Sequence, residues 1–447
     1  MMPLKRIAAL LNSIKSAVGC YSLFGICVVL AGCGSAGSKN NGLPADSANI
    51  LMDVKPGFIT DAEKQRLHNR CAAWYDSALK NKGFNGAVLV AKKGNIVFEA
   101  YNGFERLNAA APITDSSSFH IASVSKTFTA MAILQLWQQG KLQLDDEVSN
   151  YFPSFNYTGV TIRTLLNHRS GLPNYVYFME IQGWDTKRLV HNSDVLDYLV
   201  TKKSVLANIG QPNTHFSYCN TNYALLALLI EKQSGTSYAN YLQQQFFTPL
   251  GMRHTFVYDS TKAASVLPSY DWRGGLIPLN HLDLVYGDKN IYSTPNDLLL
   301  WDRALSSGKL FSDKTLAEAY APYSNEKPGI KNYGLGWRMN IYPDGKKMIY
   351  HNGWWHGNNA AFIRLTQDSA TIIVLGNKFN RNIYHAKELA PLFGSYIGGG
   401  EEENEAADNN RRAADTATAA PGLTADQQQN TAKKKMLDPR LSKRKKR

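Results

Sequence analysis

Cysteine is scarce, and it is placed where no covalent framework could form. Cys20 and Cys27 lie in an N-terminal apolar stretch, Cys33 directly follows it, and only Cys71 and Cys219 fall in the body of the 447-residue chain. One bridge between these two is the most the sequence allows; two free, buried thiols are expected. No H-E-x-x-H occurs, and His351 and His356 are not in a ligand spacing, so no metal and no cofactor is expected. The formal charge of +13 is also less than it first suggests. Residues 431–447 carry nine Lys/Arg and one Asp, a net +8, which leaves the remainder only mildly basic. No basic helix interleaved with aromatics is present there, which argues against nucleic acid as a partner. No internal repeat is visible.

What is present begins with an export-like N-terminus. Lys5, Arg6 and Lys15 precede an apolar run from Ala17 to Ala31, short for a membrane span of about 20 residues. The run ends in Leu30-Ala-Gly-Cys33, which resembles the lipobox of bacterial lipoproteins. That resemblance implies lipidation at Cys33, a membrane partner reached through the N-terminal lipid, and a place in the cell envelope, periplasmic or surface-exposed. A plain signal peptide and an uncleaved anchor are the alternatives. The expected division is a signal at 1–32, a small-residue tether at 33–56, a folded domain at 57–398 and a disordered, basic tail at 399–447. The G-x-G-x-x-G match at 32–37 has no strand before it and no helix after it, and reads as linker.

Within the folded part, 57–82 has the pattern of an amphipathic helix, and 86–104 reads as two alternating strands around Lys92-Lys-Gly-Asn95, a hairpin signal. Residues 333–376 return to strands and 384–398 look like a closing helix. Strands therefore open and close the domain, with a mainly helical part at about 141–285 between them. The expected fold class is α+β: an antiparallel sheet flanked by helices, with an inserted all-helical domain.

Three short pieces carry chemistry. The first is Ser123-Val-Ser-Lys126, at the head of a segment without Gly or Pro until Gly140. On a helical wheel Ser123, Lys126, Ala130, Ile133, Leu134 and Trp137 share one sector, and the other faces are apolar too, as in a buried helix. A buried lysine three residues from a serine can serve as a base. An N-cap serine beside a snorkelling lysine is the bland alternative. Ser-x-x-Lys also occurs at Ser77/Lys80, Ser324/Lys327 and Ser442/Lys445, none in an apolar helix. The second piece, Tyr218-Cys-Asn220, stands before a strongly apolar helix and offers a phenol for proton transfer and an amide for a carbonyl. Its copy at Tyr238/Asn240 lies inside an amphipathic helix, where Tyr238 reads as packing. The third, His351-Asn-Gly353, ends a strand, and its side-chain-free glycine lets a substrate approach the backbone; an ordinary hairpin histidine is the alternative.

In order and rough spacing the three pieces resemble the serine β-lactamases and penicillin-binding DD-peptidases, over roughly residues 57–395. The Tyr-x-Asn form is similar to the class C branch, which also holds esterases and D-aminopeptidases. Segments 161–175, 241–255, 291–301 and 333–337 agree. The resemblance implies Ser123 as acyl-forming nucleophile, Lys126 as its base, Tyr218 as proton relay, and Asn220 as holder of the substrate amide or of Lys126. It implies an oxyanion site from the N–H groups of Ser123 and Trp354. The partner would be a small-molecule or peptide substrate with an ester, amide, peptide or lactam carbonyl. A non-hydrolytic binding or sensor protein for cell-wall peptides is the alternative. One departure stands out: penicillin-binding members usually carry Lys-Thr-Gly where this chain has His351-Asn-Gly, and a histidine is only partly charged near neutral pH. His168 reads as structural. Oligomeric state is not readable.

Overall fold

The computed structural model describes residues 55–206, 210–263 and 266–397. Helix α1 (Asp61–Tyr75) starts where the Thr60 hydroxyl accepts from the Glu63 N–H, with Asp61 and Glu63 in its positive first turn. It buries Leu67, Cys71 and Tyr75, one side chain per turn. Strands β1 (Gly86–Lys92) and β2 (Asn95–Asn102) form the expected hairpin, followed by β3 (Phe119–His120). Helix α2 (Ser125–Gln138) then runs through the core. The middle of the chain holds α3 (Ile162–Leu166), α4 (Tyr175–Ile181), α5 (Asn192–Thr201), α6 (Asn220–Ser234) and α7 (Tyr238–Leu242). Among them α6 is central, packing on α2, α3, α4, α5 and α7.

Short strands β4 (Phe256–Val257), β5 (Ser269–Tyr270), β6 (Leu276–Ile277) and β7 (Ile291–Ser293) follow, then α8 (Pro295–Ser306) and α9 (Asp313–Ala319). The chain closes through β8 (Lys331–Tyr333), β9 (Arg338–Ile341), β10 (Lys347–Trp355), β11 (Asn358–Leu365) and β12 (Ala370–Gly376). The large sheet has the order β2-β1-β12-β11-β10-β9-β8, antiparallel throughout. Two distant pieces of chain thus share one sheet through the β1–β12 pairing, with the helical middle inserted between them.

The sheet separates two cores. On β1, Ala87, Leu89 and Ala91 face the core shared with α2 and α6, while Val88 and Val90 face the one shared with α1. On β12, Ile373 and Leu375 take the first side and Ile372 and Val374 the second. Both faces are covered, so these strands are continuous apolar runs rather than alternating ones. Cys71 and Cys219 are free thiols in opposite cores. Burial pushes the Cys71 thiol up to about 12.

The alternation expected at 86–104 thus fails for β1, and two further expectations need correction. Ser123 does not open the α-helix: it sits in a 3₁₀ turn, Ala122–Val124, because Ala122 adopts a left-handed φ of 49° and α2 starts only at Ser125. The segment expected as a closing helix at 384–398 is a 3₁₀ coil over Arg381–Leu392, in which Pro391 supplies no N–H donor. The N-terminal signal, Cys33, the Ser442/Lys445 copy and the basic tail lie outside the described residues.

Candidate active site

The 3₁₀ turn lifts Ser123 onto the end of α2, one turn before Lys126. Lys126 has no exposed surface. Its ammonium donates to Ser123 Oγ at 3.1 Å and to the Asp288 carbonyl at 2.7 Å. The faces of Tyr218 and Tyr223 lie 5.0 and 5.6 Å from Nζ, supplying cation–π stabilisation to a cation taken out of water.

The segment before α6 brings in Tyr218, and His168 holds it there. The His168 carbonyl accepts from the Ser217 N–H at 2.8 Å, and its Nδ1 accepts from the Cys219 N–H at 3.1 Å. Tyr218 is thus fixed on both sides by one residue, whose ring centroid is 4.3 Å from its own. His168 is fully buried at a left-handed φ of 58°, a structural position as the sequence suggested. The Thr221 hydroxyl donates to the Pro173 carbonyl and accepts from the Tyr175 N–H, both at 2.7 Å, which ties the 170–175 loop to the head of α6. Asn220 is the first residue of that helix and is partly exposed beside Tyr218. The other Tyr-x-Asn is packing: Tyr238 stacks on Tyr286 and hydrogen-bonds Thr129 Oγ1.

Strand β10 supplies the third wall. β9 pairs only with Lys347–Tyr350, so β9 leaves the outer edge of residues 351–355 open beside the Ser123 turn. At Gly353 an added Cβ would stand 2.3 Å from the Ile121 carbonyl oxygen and 3.2 Å from the Ser123 nitrogen, so no larger residue fits without displacing the turn. His351 is fully buried. A neutral ring satisfies both its contacts, with Nδ1–H donating to the Asn352 carbonyl at 2.6 Å and Nε2 accepting from the Tyr333 hydroxyl at 3.2 Å. Burial first, then the Arg338 and Lys126 cations, hold its pKa well below the ordinary histidine value. The expectation of a partly charged His351 is therefore corrected to a neutral one. Trp354 and Trp355 are partly exposed beyond it, with Trp354 Nε1 bonded to the His356 carbonyl and Trp355 Nε1 to Asp283.

The structure thus brings Ser123, Lys126, Tyr218, His351 and Gly353 together, with the Tyr218 and His351 rings 6.3 Å apart. Sequence reasoning missed Arg338, on β9 opposite Tyr350, whose guanidinium lies 4.9 Å from the Tyr218 ring. A lone charge between Trp337 and Met339 in a strand was the available signal. It also missed the Asp288 carbonyl, which carries no sequence signal at all.

Past Trp355 a cavity of about 180 Å³ adjoins the open edge, walled by Tyr258, Val266, Leu276, Leu279, Tyr292 and Trp355 among others. Asp283, His356 and His120 in its wall are internally committed, whereas the buried Asn358 Oδ1 has no partner. Asp283 accepts from Trp355 Nε1 at 2.6 Å and meets His356 Nε2 at 3.0 Å. Burial raises the Asp283 carboxyl, but the His356 contact and charge, the Asn280 N–H and Trp355 outweigh it, and the net shift is downward. His120 Nδ1 accepts from the Ala122 N–H at 3.1 Å, and its Nε2–H donates to Asn290 Oδ1 at 3.0 Å.

Comparison with known proteins agrees with this architecture. The family model described as Beta-lactamase matches residues 71–390. The chain is 32% identical over 333 residues to penicillin-binding protein 4* of Bacillus subtilis, covering 70% of this chain and 73% of that one. It is 28% identical over 274 residues to a D-aminopeptidase of Brucella anthropi, a match that spans 61% of this chain but only 52% of the relative. Among solved structures, a penicillin binding protein from Bacillus halodurans superposes with a TM-score of 0.60 at 23% identity, over 69% of this chain and 95% of that one, a likeness of fold. With the matched region spanning both the sheet and the inserted helices, the chain belongs to the Beta-lactamase family of serine hydrolases.

Proposed function

We propose that this protein hydrolyses a carbonyl substrate through an acyl-enzyme on Ser123. The observation that carries the reading is the fully buried Lys126 ammonium 3.1 Å from Ser123 Oγ. Once the ammonium has lost its proton to solvent, the Lys126 amine takes the Ser123 proton while Oγ bonds to the substrate carbonyl carbon. The oxygen of the tetrahedral intermediate lies against the N–H groups of Ser123 and Trp354, which the tight Gly353–Ile121 approach brings near each other. Tyr218, between Lys126 and Arg338, relays the proton to the leaving group as the carbonyl–leaving-group bond breaks. A water deprotonated by the same pair then attacks the ester, and Ser123 regains its proton. Asn220 binds the substrate amide or carbonyl, and His351 shapes the strand edge without adding charge.

The leaving group belongs at the Tyr218 and His351 end of the edge. The acyl side therefore extends toward Trp355, four residues and roughly 13 Å along the strand, and its substituent enters the apolar-walled cavity. The names of the relatives, penicillin-binding protein and D-aminopeptidase, favour peptide, amide or lactam carbonyls among the possible substrates. The neutral His351 lacks the fixed cation with which a lysine would grip a substrate carboxylate. Esters and uncharged amides are accordingly the preferred class, with weak turnover of antibiotics.

The test is a panel of p-nitrophenyl esters, nitrocefin and D-Ala-D-Ala peptides, run with a fluorophosphonate label on wild type and Ser123→Ala. Turnover and labelling that vanish in Ser123→Ala are expected; either surviving there refutes the nucleophile. Stoichiometric labelling by a penicillin without turnover of any substrate would instead support the binding or sensor reading. We also propose lipidation at Cys33 and residence in the bacterial cell envelope, on the strength of the Leu30–Cys33 sequence alone. Loss of palmitate incorporation and membrane sedimentation in Cys33→Ser is expected; unchanged sedimentation would refute it.

A further inference from the structure

Two charged groups beside the cleft have no part in the chemistry above. The Asp288 carboxylate and the Lys289 ammonium have side-chain exposures of 2% and 3%. They stand 3.6 Å apart, and Tyr175 links them: its hydroxyl accepts from Lys289 Nζ and donates to Asp288 Oδ2 at 3.0 Å. Lys289 Nζ also donates to the Val285 carbonyl at 3.3 Å and lies over the rings of Trp355, at 4.6 Å, and Tyr175, at 5.1 Å. Burying such a pair costs several kcal/mol per ion before their attraction repays it, and an apolar pair of similar volume often serves stability as well or better. Its presence calls for a role beyond stability.

The backbone of the same residue supplies that role. The Asp288 carbonyl is the 2.7 Å acceptor for Lys126 Nζ, and the segment that carries it is held at both ends. Before it, the Gly287 carbonyl accepts from Thr129 Oγ1 at 2.6 Å, and Gly287 lies so close to α6 that an added Cβ would stand 2.4 Å from the Tyr223 oxygen. After it, Asn290 takes a left-handed φ of 73°, with its amide donating to the Asp283 and Val285 carbonyls. Between these anchors the contacts of the Asp288 and Lys289 side chains restrain the rotation of the intervening peptide, and hence the direction of the carbonyl. Trp355, stacked on Lys289, is the last residue of the open strand edge, so the clamp bears on both the base and the substrate wall.

We propose that Asp288, Lys289 and Tyr175 are positioning residues: their buried clamp aims the Asp288 carbonyl at Lys126 and so keeps Lys126 directed at Ser123. The inference rests on the reading of Ser123 as nucleophile and Lys126 as base. It predicts an effect on acylation with little effect on substrate binding.

The experiment uses the full chain and measures the second-order rate of fluorophosphonate capture, KM for a p-nitrophenyl ester, and Tm. In Lys289→Met capture is expected to fall about tenfold while KM stays within about threefold. Tyr175→Phe, which removes only the bridging hydroxyl and covers the case in which Lys289→Met does not fold, is expected to slow capture about threefold. In Asp288→Asn/Lys289→Met, where neither charge is left unpaired, Tm is expected to recover while capture stays slow. Capture at the wild-type rate in the folded single variants overturns the proposal. So does recovery of capture together with Tm in the double variant, which would make the pair mere mutual neutralisation. Capture that persists in Ser123→Ala overturns the underlying nucleophile reading instead.

Discussion

Gly353 faces the carbonyl of Ile121 so closely that a single methyl group at position 353 would come within 2.3 Å of that oxygen. The contact joins the strand edge to the turn that presents Ser123, and it sets the spacing of the proposed oxyanion donors. Gly353→Ala is expected to lower kcat by roughly 10²-fold, the scale of losing one oxyanion donor, with a smaller loss of stability. Steady-state ester kinetics and thermal unfolding on the same preparation check it; near-normal kcat would show that the turn tolerates the methyl.

His120 predicts a pH dependence of stability. Its neutral form accepts from the Ala122 N–H and donates to Asn290, so protonation of Nδ1 would remove the acceptor beside the nucleophile turn. Burial lowers its pKa from 6.5 to about 4, with Asn290 and Asp283 opposing in part and His356 and Lys289 adding to the effect. Between these values the unfolded chain binds a proton that the folded one does not. Stability is therefore full above about pH 6.5 and falls as pH drops toward 4, by about 3 kcal/mol from this group. His351, lowered in the same direction, adds to the loss. Urea unfolding at pH 7.5, 6, 5 and 4.5 should show the decline, and His120→Gln should make it shallower, leaving the part due to His351. A level profile over this range would contradict the buried neutral ring.

The cavity beyond Trp355 predicts acyl selectivity. Val266→Phe, which narrows it, is expected to lower kcat/KM for phenylacetyl relative to acetyl p-nitrophenyl esters by about tenfold, while the acetyl ester is barely changed. An unchanged ratio would remove the cavity from the acyl side of the substrate.

Cys71 and Cys219, buried in opposite cores, should resist alkylation in the folded state and react fully on unfolding. Peptide mapping after brief iodoacetamide treatment at neutral pH checks this; labelling of Cys71 without unfolding would contradict the pKa near 12.

These sites differ in how far the sequence exposed them. Strand-like segments at both ends of the domain made the interrupted sheet legible, but the alternation expected at 86–104 missed that the Ala87–Ala91 strand is covered on both faces. Ser123, Lys126, Tyr218 and Gly353 were legible because three short patterns occur in a fixed order and their copies sit in the wrong surroundings. What escaped depends on contacts distant in sequence or on burial. The Lys126–Asp288 bond joins residues 162 apart through a backbone atom, which no residue type marks. The neutrality of His351 follows from its burial and then from two cations brought in by other elements. The left-handed Ala122, which turns an apparent helix start into a 3₁₀ turn, directly follows a pairing distant in sequence, where the Ile121 N–H bonds the Ile291 carbonyl.

The division into two cores also governs how the molecule can be loosened. Ile59, α1 and Tyr396 all pack on the side of the sheet away from α2 and the cleft. The first helix and the closing coil of the described fold therefore cover the sheet face opposite Ser123. A substitution confined to that rear layer, at Leu67 or Leu389 for example, would thus loosen the sheet without touching the groups around Ser123.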